Sequence, residues 1–189
     1  IFILLKDKPG ALKEVVDEAG ILTGDAVSDR IGVWGTNQSM QALAIIRPQN
    51  TDQVSSILKL CNSNRQAIVP QGGMTGLVKA GMPDSSEIAV SLERMNSILE
   101  VDFDTATITV EAGVTLQDAQ EAADAHGLML PLDLGARGSA TIGGNLASAS
   151  PIGDSSPALL ALNCSLLIQG KKQKEVHIKN FFKSYRKTS

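Results

Sequence analysis

The sequence predicts an α+β protein with two lobes: a small α/β lobe, followed by a larger lobe of mixed, mainly antiparallel strands with helices. Its 189 residues are 43% hydrophobic and 20% charged, which is typical of a globular chain able to bury a sizeable core. A strand, an amphipathic helix and a second strand follow one another between residues 42 and 70. The later strands flank short turns, as antiparallel pairs do. We predict one domain over residues 1–189, with lobes of about 1–82 and 83–189 and a seam near residues 72–83.

Charge, cysteine usage and hydropathy exclude several classes of protein. Seventeen Lys and Arg against twenty Asp and Glu give a net charge of −3, which argues against nucleic acid as the main partner. Cys61 and Cys164 match neither a CxxC pair nor a zinc spacing, so we expect a reducing, cytoplasmic compartment and no metal. The N-terminal apolar run, Ile1 to Leu5, is far shorter than the ~20 residues of a membrane-spanning helix.

The predicted first lobe begins with a helix over Ala11–Ala19 that Gly20 ends. A buried strand follows at Ala42–Ile46, closed by Arg47-Pro48. Thr51 is the predicted cap of the next helix. The side chains predicted to face inward from that helix are Val54, Ile57, Leu58 and Cys61.

A second strand, Ala67–Val69, leads into Pro70, and the three elements form a βαβ unit. Because ligands bind at the carboxyl ends of parallel strands, the loop after Val69 is the expected place for chemistry. A further strand is predicted at Ile88–Leu92. The Glu93-Arg94 pair that follows is interpreted as a surface ion pair.

The second lobe is predicted to contain two hairpins and one amphipathic helix. The hairpin strands are Ile98–Val101, Thr107–Val110, Leu166–Ile168 and Val176–Ile178. The helix opens at Thr115 and ends near Gly127, with His126 exposed at its end. The small, glycine-rich stretch 134–157 is not expected to build a helix face.

Two segments have residue types that suit a ligand better than a core: Pro70 to Gly76 and Pro131 to Asn145. Consecutive glycines let backbone N–H groups approach an anion and adopt positive φ, which forms a nest for a pyrophosphate. The first segment, Gly72 to Gly76, has the spacing of neither a GxGxxG nor a Walker A loop. Plain turns are the alternative for each segment taken alone.

Four ordered motifs resemble the FAD-binding domain of FAD-linked oxidases, the PCMH-type fold of vanillyl-alcohol oxidase relatives and p-cresol methylhydroxylase. They are Val69–Gly76, Leu92–Asn96, Val110–Thr115 and Pro131–Asn145. The match is closest to the D-2-hydroxyacid dehydrogenase branch, which includes D-lactate and D-2-hydroxyglutarate dehydrogenases and the glycolate oxidase flavin subunit. The resemblance implies FAD lying between two lobes, with hydride or electron transfer through its isoalloxazine ring.

The resemblance also implies which residues hold the cofactor. They are Pro70, Gln71, Gly72, Gly73, Met74, Thr75, Gly76, Pro131, Asp133, Gly135, Gly138, Ser139, Ala140, Thr141, Gly143, Gly144 and Asn145. Met74 stands where this branch usually has Asn, so one polar contact differs. Neither loop contains histidine, which indicates non-covalent FAD. Asp133, Arg137, Thr75 and Ser139 have the alternative role of shaping local turns.

From Ser148 onward the chain is similar to another group with the same fold, the FAD domain of molybdenum hydroxylases such as xanthine and carbon monoxide dehydrogenases. In that group the aspartate of the Ser-Pro-Ile-Gly-Asp segment contacts the flavin nucleotide, so Asp154 is a further candidate. The predicted function is the FAD-binding part of an oxidoreductase that oxidises a D-2-hydroxy acid. A molybdenum-hydroxylase electron-transfer subunit and a fragment or recombined domain without turnover are the alternatives. In the first interpretation a C-terminal substrate domain, absent from this chain, would bind the small-molecule substrate and carry the catalytic residues. Partner subunits are compatible with this interpretation.

Overall fold

The computed structural model describes residues 9–32, 37–76, 79–133, 135–147, 165–169, 172–184 and 187–188. The chain divides into two compact units, Ile1–Met95 and Asn96–Ser189. This division falls later than the predicted boundary near residue 82. The reason is that the strand Ile88–Ser91 belongs to the sheet of the first unit.

The first unit is built on a four-stranded sheet in the order β1-β2-β4-β3. Its elements are α1 (Pro9–Lys13), a 3₁₀ turn (Glu18–Gly20), β1 (Ile21–Leu22), α2 (Asp25–Ser28), β2 (Ala44–Ile46), α3 (Thr51–Ser63), β3 (Ile68–Gln71) and β4 (Ile88–Ser91). Strands β2 and β3 both pair in parallel with β4, and β1 pairs antiparallel with β2. The predicted α/β character is confirmed. The β2-α3-β3 connection passes over one strand, because β4 lies between β2 and β3.

Both faces of the central strands are buried, which explains why β2 and β4 have continuous apolar sequences. On one face Ala44, Ile46, Ile88 and Val90 pack with Leu12, Val16, Ile57 and Cys61. On the other face Ile45 and Ala89 pack with Val27 and Met40. The sheet is therefore fixed from both sides, and its carboxyl edge is a rigid base for the loops that leave it.

Helix α3 begins one residue earlier than the sequence predicted. Asn50 is the N-cap, with its side chain accepting a hydrogen bond from the Gln53 N–H at 2.9 Å. Thr51 is already inside the helix, so the predicted cap was wrong. Leu58, predicted to face inward, is 42% exposed, whereas Ile57 and Cys61 are buried as expected.

Replacing Asn50 by alanine should lower the free energy of unfolding by about 1 kcal/mol, because the Gln53 N–H loses its side-chain acceptor. The matched control is Thr51→Ala, one residue further on, which removes no cap. Urea unfolding followed by circular dichroism measures both changes. Equal losses in the two variants, or a larger loss for Thr51→Ala, would show that the cap is assigned to the wrong residue.

The first helix is shorter than predicted, ending at Lys13 instead of Ala19. Asp17 has an extended backbone, and its carboxylate accepts two hydrogen bonds of 2.7 Å from the guanidinium of Arg94. The helix thus ends before Asp17, which instead makes this bidentate contact with a residue distant in the sequence.

The second unit contains antiparallel hairpins, as predicted. Its elements are β5 (Ile98–Asp102), β6 (Thr107–Val110), α4 (Leu116–Ala125), α5 (Ile142–Ala147), β7 (Ser165–Gln169), β8 (Gln173–His177), α6 (Ile178–Phe181), β9 (Phe182–Ser184) and β10 (Lys187–Thr188). The strands pair as β5-β6, β7-β8 and β9-β10, all antiparallel. Thr115 caps α4 as predicted, and its hydroxyl accepts from the Asp118 N–H. No helix in the described ranges is long and apolar enough to cross a membrane.

Helix α5 lies within the glycine-rich stretch 134–157, which was not expected to build a helix face. Its first turn is tied to the preceding loop rather than stabilised by an amphipathic pattern. The Ile142 N–H donates to the Val114 carbonyl and the Gly143 N–H to the Ala112 carbonyl. Ile142 also packs against the apolar clusters of this unit. Tertiary contacts therefore compensate for the low helix propensity of two consecutive glycines.

Candidate functional site

The first glycine-rich segment leaves the sheet at the carboxyl end of β3, as predicted. Pro70 and Gln71 are the last residues of that strand and lie opposite Val90 and Ser91 of β4. Pro70 is exposed, since β3 is an edge strand of the described sheet, where proline is tolerated. Gln71 is buried, and its carbonyl accepts a hydrogen bond from the Leu92 N–H.

The loop that follows offers a run of backbone donors. Within the described part of the chain, the N–H groups of Gly72, Gly73, Met74, Thr75 and Gly76 donate to no protein acceptor. Buried or half-buried N–H groups ordinarily have a partner, and Gly72 to Thr75 are half-buried. Successive N–H groups without internal acceptors are suited to an anion such as a phosphate. This donor set fits the pyrophosphate of a dinucleotide.

The chain bends at Gly72 and Gly73, but the residue with a left-handed backbone in this loop is Met74. Met74 has φ = +55°, whereas the described glycines with positive φ are Gly24 and Gly127, so the expected positive φ at Gly72 and Gly73 was wrong. A left-handed conformation costs a non-glycine residue roughly 1–2 kcal/mol. The Met74 side chain packs against the apolar cluster that includes Met40 and Ile45, which helps to offset that cost.

The second glycine-rich segment is tied to the start of α4. The carbonyl groups of Arg137 and Ala140 accept from the N–H groups of Gln117 and Leu116. The Ser139 N–H donates to the Ala136 carbonyl. The N-terminal donors of α4 are thus satisfied by this segment, so they are not free for a ligand.

The glycines of α5 allow close packing. A Cβ atom on Gly143 would lie 2.7 Å from the Ala112 Cβ and 2.8 Å from the Ala112 oxygen. The Gly144 N–H donates to the hydroxyl of Thr141 at 3.3 Å. Asn145 is described only as helix backbone. The second glycine-rich segment therefore differs from the first loop, because the N–H groups of Leu132, Ser139, Ala140, Ile142, Gly143 and Gly144 already donate within the protein.

The remaining predicted site residues are distributed as follows. Pro131, Asp133, Gly135, Gly138 and Ser139 are exposed, whereas Ala140 and Thr141 are buried. A cleft of about 510 Å³ is lined by Gln120, Asp124, Met129, Leu130, Pro131, Leu132, Asp133 and Arg137. The side-chain amide of Gln120 donates to the carbonyls of Leu130 and Leu132 and so holds this segment against α4. Asp154 lies outside the described residues.

A charged cluster at the carboxyl edge of the first sheet was missed by the sequence reasoning. Arg30 donates two hydrogen bonds of 2.7 Å to Glu93, and Arg47 donates a third at 3.0 Å. Arg94 binds Asp17, so the predicted Glu93-Arg94 pair was wrong. Arg47 follows β2 directly, and Glu93 follows β4 within two residues. Because the carboxyl ends of parallel strands lie at one edge of a sheet, these positions in the sequence could have predicted that the two side chains meet.

The cluster strongly favours the charged form of Glu93. Partial burial raises the pKa of this carboxyl group, but the hydrogen bonds and charges of Arg30 and Arg47 outweigh burial and lower the pKa from 4.5 to about 2. The three side chains join segments that are far apart in the sequence. The cluster therefore stabilises the edge from which the first glycine-rich loop emerges.

Known proteins share both the sequence motifs and the fold. Residues 42–155 match the family described as FAD binding domain. The chain is 35% identical over 150 residues to the probable mitochondrial D-2-hydroxyglutarate dehydrogenase of Oryza sativa subsp. indica, covering 77% of this chain and 26% of that protein. It is 44% identical over 115 residues to the mitochondrial D-2-hydroxyglutarate dehydrogenase of Arabidopsis thaliana, covering 61% and 21%. A putative mitochondrial D-lactate dehydrogenase of Schizosaccharomyces pombe is 38% identical over 151 residues, covering 79% and 28%.

The fold is also found among solved structures. Alkyldihydroxyacetonephosphate synthase superposes with a TM-score of 0.65 at 19% identity, covering 77% of this chain and 32% of that one. p-Cresol methylhydroxylase with substrate bound gives a TM-score of 0.61 at 18% identity, covering 76% and 29%. These likenesses confirm the predicted α+β, PCMH-type fold class.

The fold thus places the protein in the PCMH-type class. The chain belongs to the FAD binding domain family, since the family match covers more than half of its residues. This confirms the resemblance on which the cofactor prediction rested, and FAD is the cofactor that the family defines. The chain spans about a quarter of the length of the curated relatives.

Proposed function

We propose that this chain is the FAD-binding part of an oxidoreductase that oxidises a D-2-hydroxy acid of the D-2-hydroxyglutarate or D-lactate type. The relatives named above support this substrate class. The observation that carries the cofactor role is the loop Gly72 to Gly76, whose N–H groups have no acceptor in the described part of the chain. The loop follows a parallel strand, where nucleotide ligands bind.

In this proposal the residues of the first loop bind the pyrophosphate of FAD through backbone donors, without a charged side chain. Met74 contributes its N–H and not a polar side chain. The second segment supplies Gly138 to Asn145 as further contacts, together with Pro131, Asp133 and Gly135. When bound, FAD supplies the redox chemistry, and the protein holds and orients it. With no histidine in either loop, the proposed binding is non-covalent.

The names of the relatives favour the hydroxy-acid interpretation over the molybdenum-hydroxylase alternative. The alternatives differ in the compound that reduces the bound flavin. In the natural protein, D-lactate or D-2-hydroxyglutarate should bleach bound flavin without oxygen, whereas NADH should do so in the molybdenum-hydroxylase case. A fragment without turnover would retain flavin but respond to neither donor.

Several parts of the proposal go beyond the domain itself. In this proposal the catalytic residues belong to a further substrate domain. The proposal is compatible with partner subunits and does not depend on them. The predicted cytoplasmic location stays a prediction, and the relatives' names place those proteins in mitochondria.

A competition experiment tests the cofactor role. Because the first loop is suited to a diphosphate, the protein should bind FAD and ADP, with ADP displacing FAD, and should bind riboflavin much more weakly. Flavin fluorescence and isothermal titration measure these affinities. A protein that fails to bind FAD contradicts the proposed function. Equal affinity for riboflavin and FAD contradicts the role given to the diphosphate loop.

A further inference from the structure

The first glycine-rich loop is closed by a side chain from its own starting residue. The Gln71 side-chain nitrogen donates to the Gly81 carbonyl at 2.8 Å. The same nitrogen contacts the Met40 sulfur at 3.4 Å. Gln71 is only 3% exposed, so water has little access to compete for these contacts.

Both ends of this contact are anchored. The backbone of Gln71 is fixed by pairing with Ser91 in β4 and by the Leu92 N–H. At the other end, a Cβ atom on Gly81 would lie 2.7 Å from the Met74 sulfur, so the loop's turn packs directly on Gly81. The amide nitrogen of Gln71 carries two hydrogens and faces two protein acceptors. It has no donor left for a cofactor.

We propose that Gln71 is a positioning residue: its side chain closes the first glycine-rich loop by tying the start of the loop to Gly81, so that the N–H groups of Gly72 to Gly76 are ordered before the diphosphate arrives. This inference rests on the proposed function and assigns Gln71 an indirect role instead of a direct contact with FAD. Ordering a loop before binding raises affinity, because the conformational entropy is not lost on binding.

The test uses Gln71→Glu, which keeps the size of the side chain and removes the amide donor. Gln71→Met is a second variant of similar length that buries no charge, and it decides the test if Gln71→Glu unfolds the unit. The matched control is Gln66→Glu. Gln66 precedes the same strand at its opposite end, and its amide donates to the carbonyls of Ala67 and Ser86, away from the loop.

Two measurements report the effect of the Gln71 substitutions: the rate of proteolysis and the affinity for FAD and ADP. Lys79 is exposed and lies two residues before Gly81, so the rate of trypsin cleavage after Lys79 reports release of Gly81 from Gln71 without FAD. Cleavage after Lys59, in α3, reports unfolding of the unit and should not change. In the Gln71 variants we expect cleavage after Lys79 to accelerate about tenfold and the affinities for FAD and ADP to fall by about the same factor, the effect of losing about one buried hydrogen bond. Gln66→Glu should change none of these quantities.

The outcomes separate the two hypotheses. Unchanged cleavage after Lys79 overturns the closing role of Gln71. Faster cleavage with unchanged FAD and ADP affinity overturns its role in positioning the diphosphate donors. A wild-type protein that binds neither FAD nor ADP overturns the proposed function, and the cleavage rates still decide whether Gln71 closes the loop.

Discussion

Replacing Gly143 by alanine should lower the free energy of unfolding of the second unit by about 2–3 kcal/mol, because the new methyl group has no space. It would lie 2.7 Å from the Ala112 Cβ and 2.8 Å from the Ala112 carbonyl oxygen, and backbone cannot move aside as a flexible side chain can. The hydrogen bond from the Gly143 N–H to that carbonyl would also be strained. Urea unfolding followed by far-ultraviolet circular dichroism measures the loss.

The matched control is Gly135→Ala in the same glycine-rich segment. A Cβ atom on Gly135 meets nothing within 4 Å, so this variant should stay within about 0.5 kcal/mol of wild type. Equal stability of the two variants would contradict the close packing of α5 on Ala112.

The sequence predicted those features that depend on local pattern. Apolar runs located β2, β3 and β4, and the alternation around residues 98–110 located the β5-β6 hairpin. The glycine-rich loop was placed correctly after β3, because a strand and the residues that end it are adjacent in sequence. The motif order, rather than any single glycine, predicted the family.

What the sequence did not predict depends on contacts between distant residues. Asn50 and Thr51 are both good caps, and only the backbone decides which of them accepts from Gln53. Met74 in the first loop has a positive φ, and its side chain reaches an apolar cluster formed by remote segments. Helix α5 forms because Ala112 and Val114 accept its first N–H groups. None of these partners is visible as a pattern in the chain.

Replacing Glu93 by glutamine should lower the free energy of unfolding of the first unit by about 2 kcal/mol at neutral pH, after allowance for screening of a side chain that is 35% exposed. Glutamine leaves Arg30 and Arg47 without their shared carboxylate. Because the folded-state pKa of Glu93 is lowered to about 2, its contribution is complete above pH 4.5 and is lost as the pH falls toward 2. Urea unfolding followed by circular dichroism at several pH values measures it.

The pH dependence separates this role from a general effect of removing a negative charge. The difference between wild type and Glu93→Gln should be constant from pH 7 to 5 and should shrink below pH 4.5. The reason is that Glu93 then takes up a proton in the unfolded chain, whereas in the folded protein it stays charged until the pH nears 2. Glu18→Gln is the matched control, because Glu18 is 89% exposed and contacts only Lys13 among the described ion pairs, so its loss should be small at every pH. A difference that stays the same down to pH 3 would show that Glu93 stabilises the sheet edge by packing and hydrogen bonding alone, and that its charge contributes nothing.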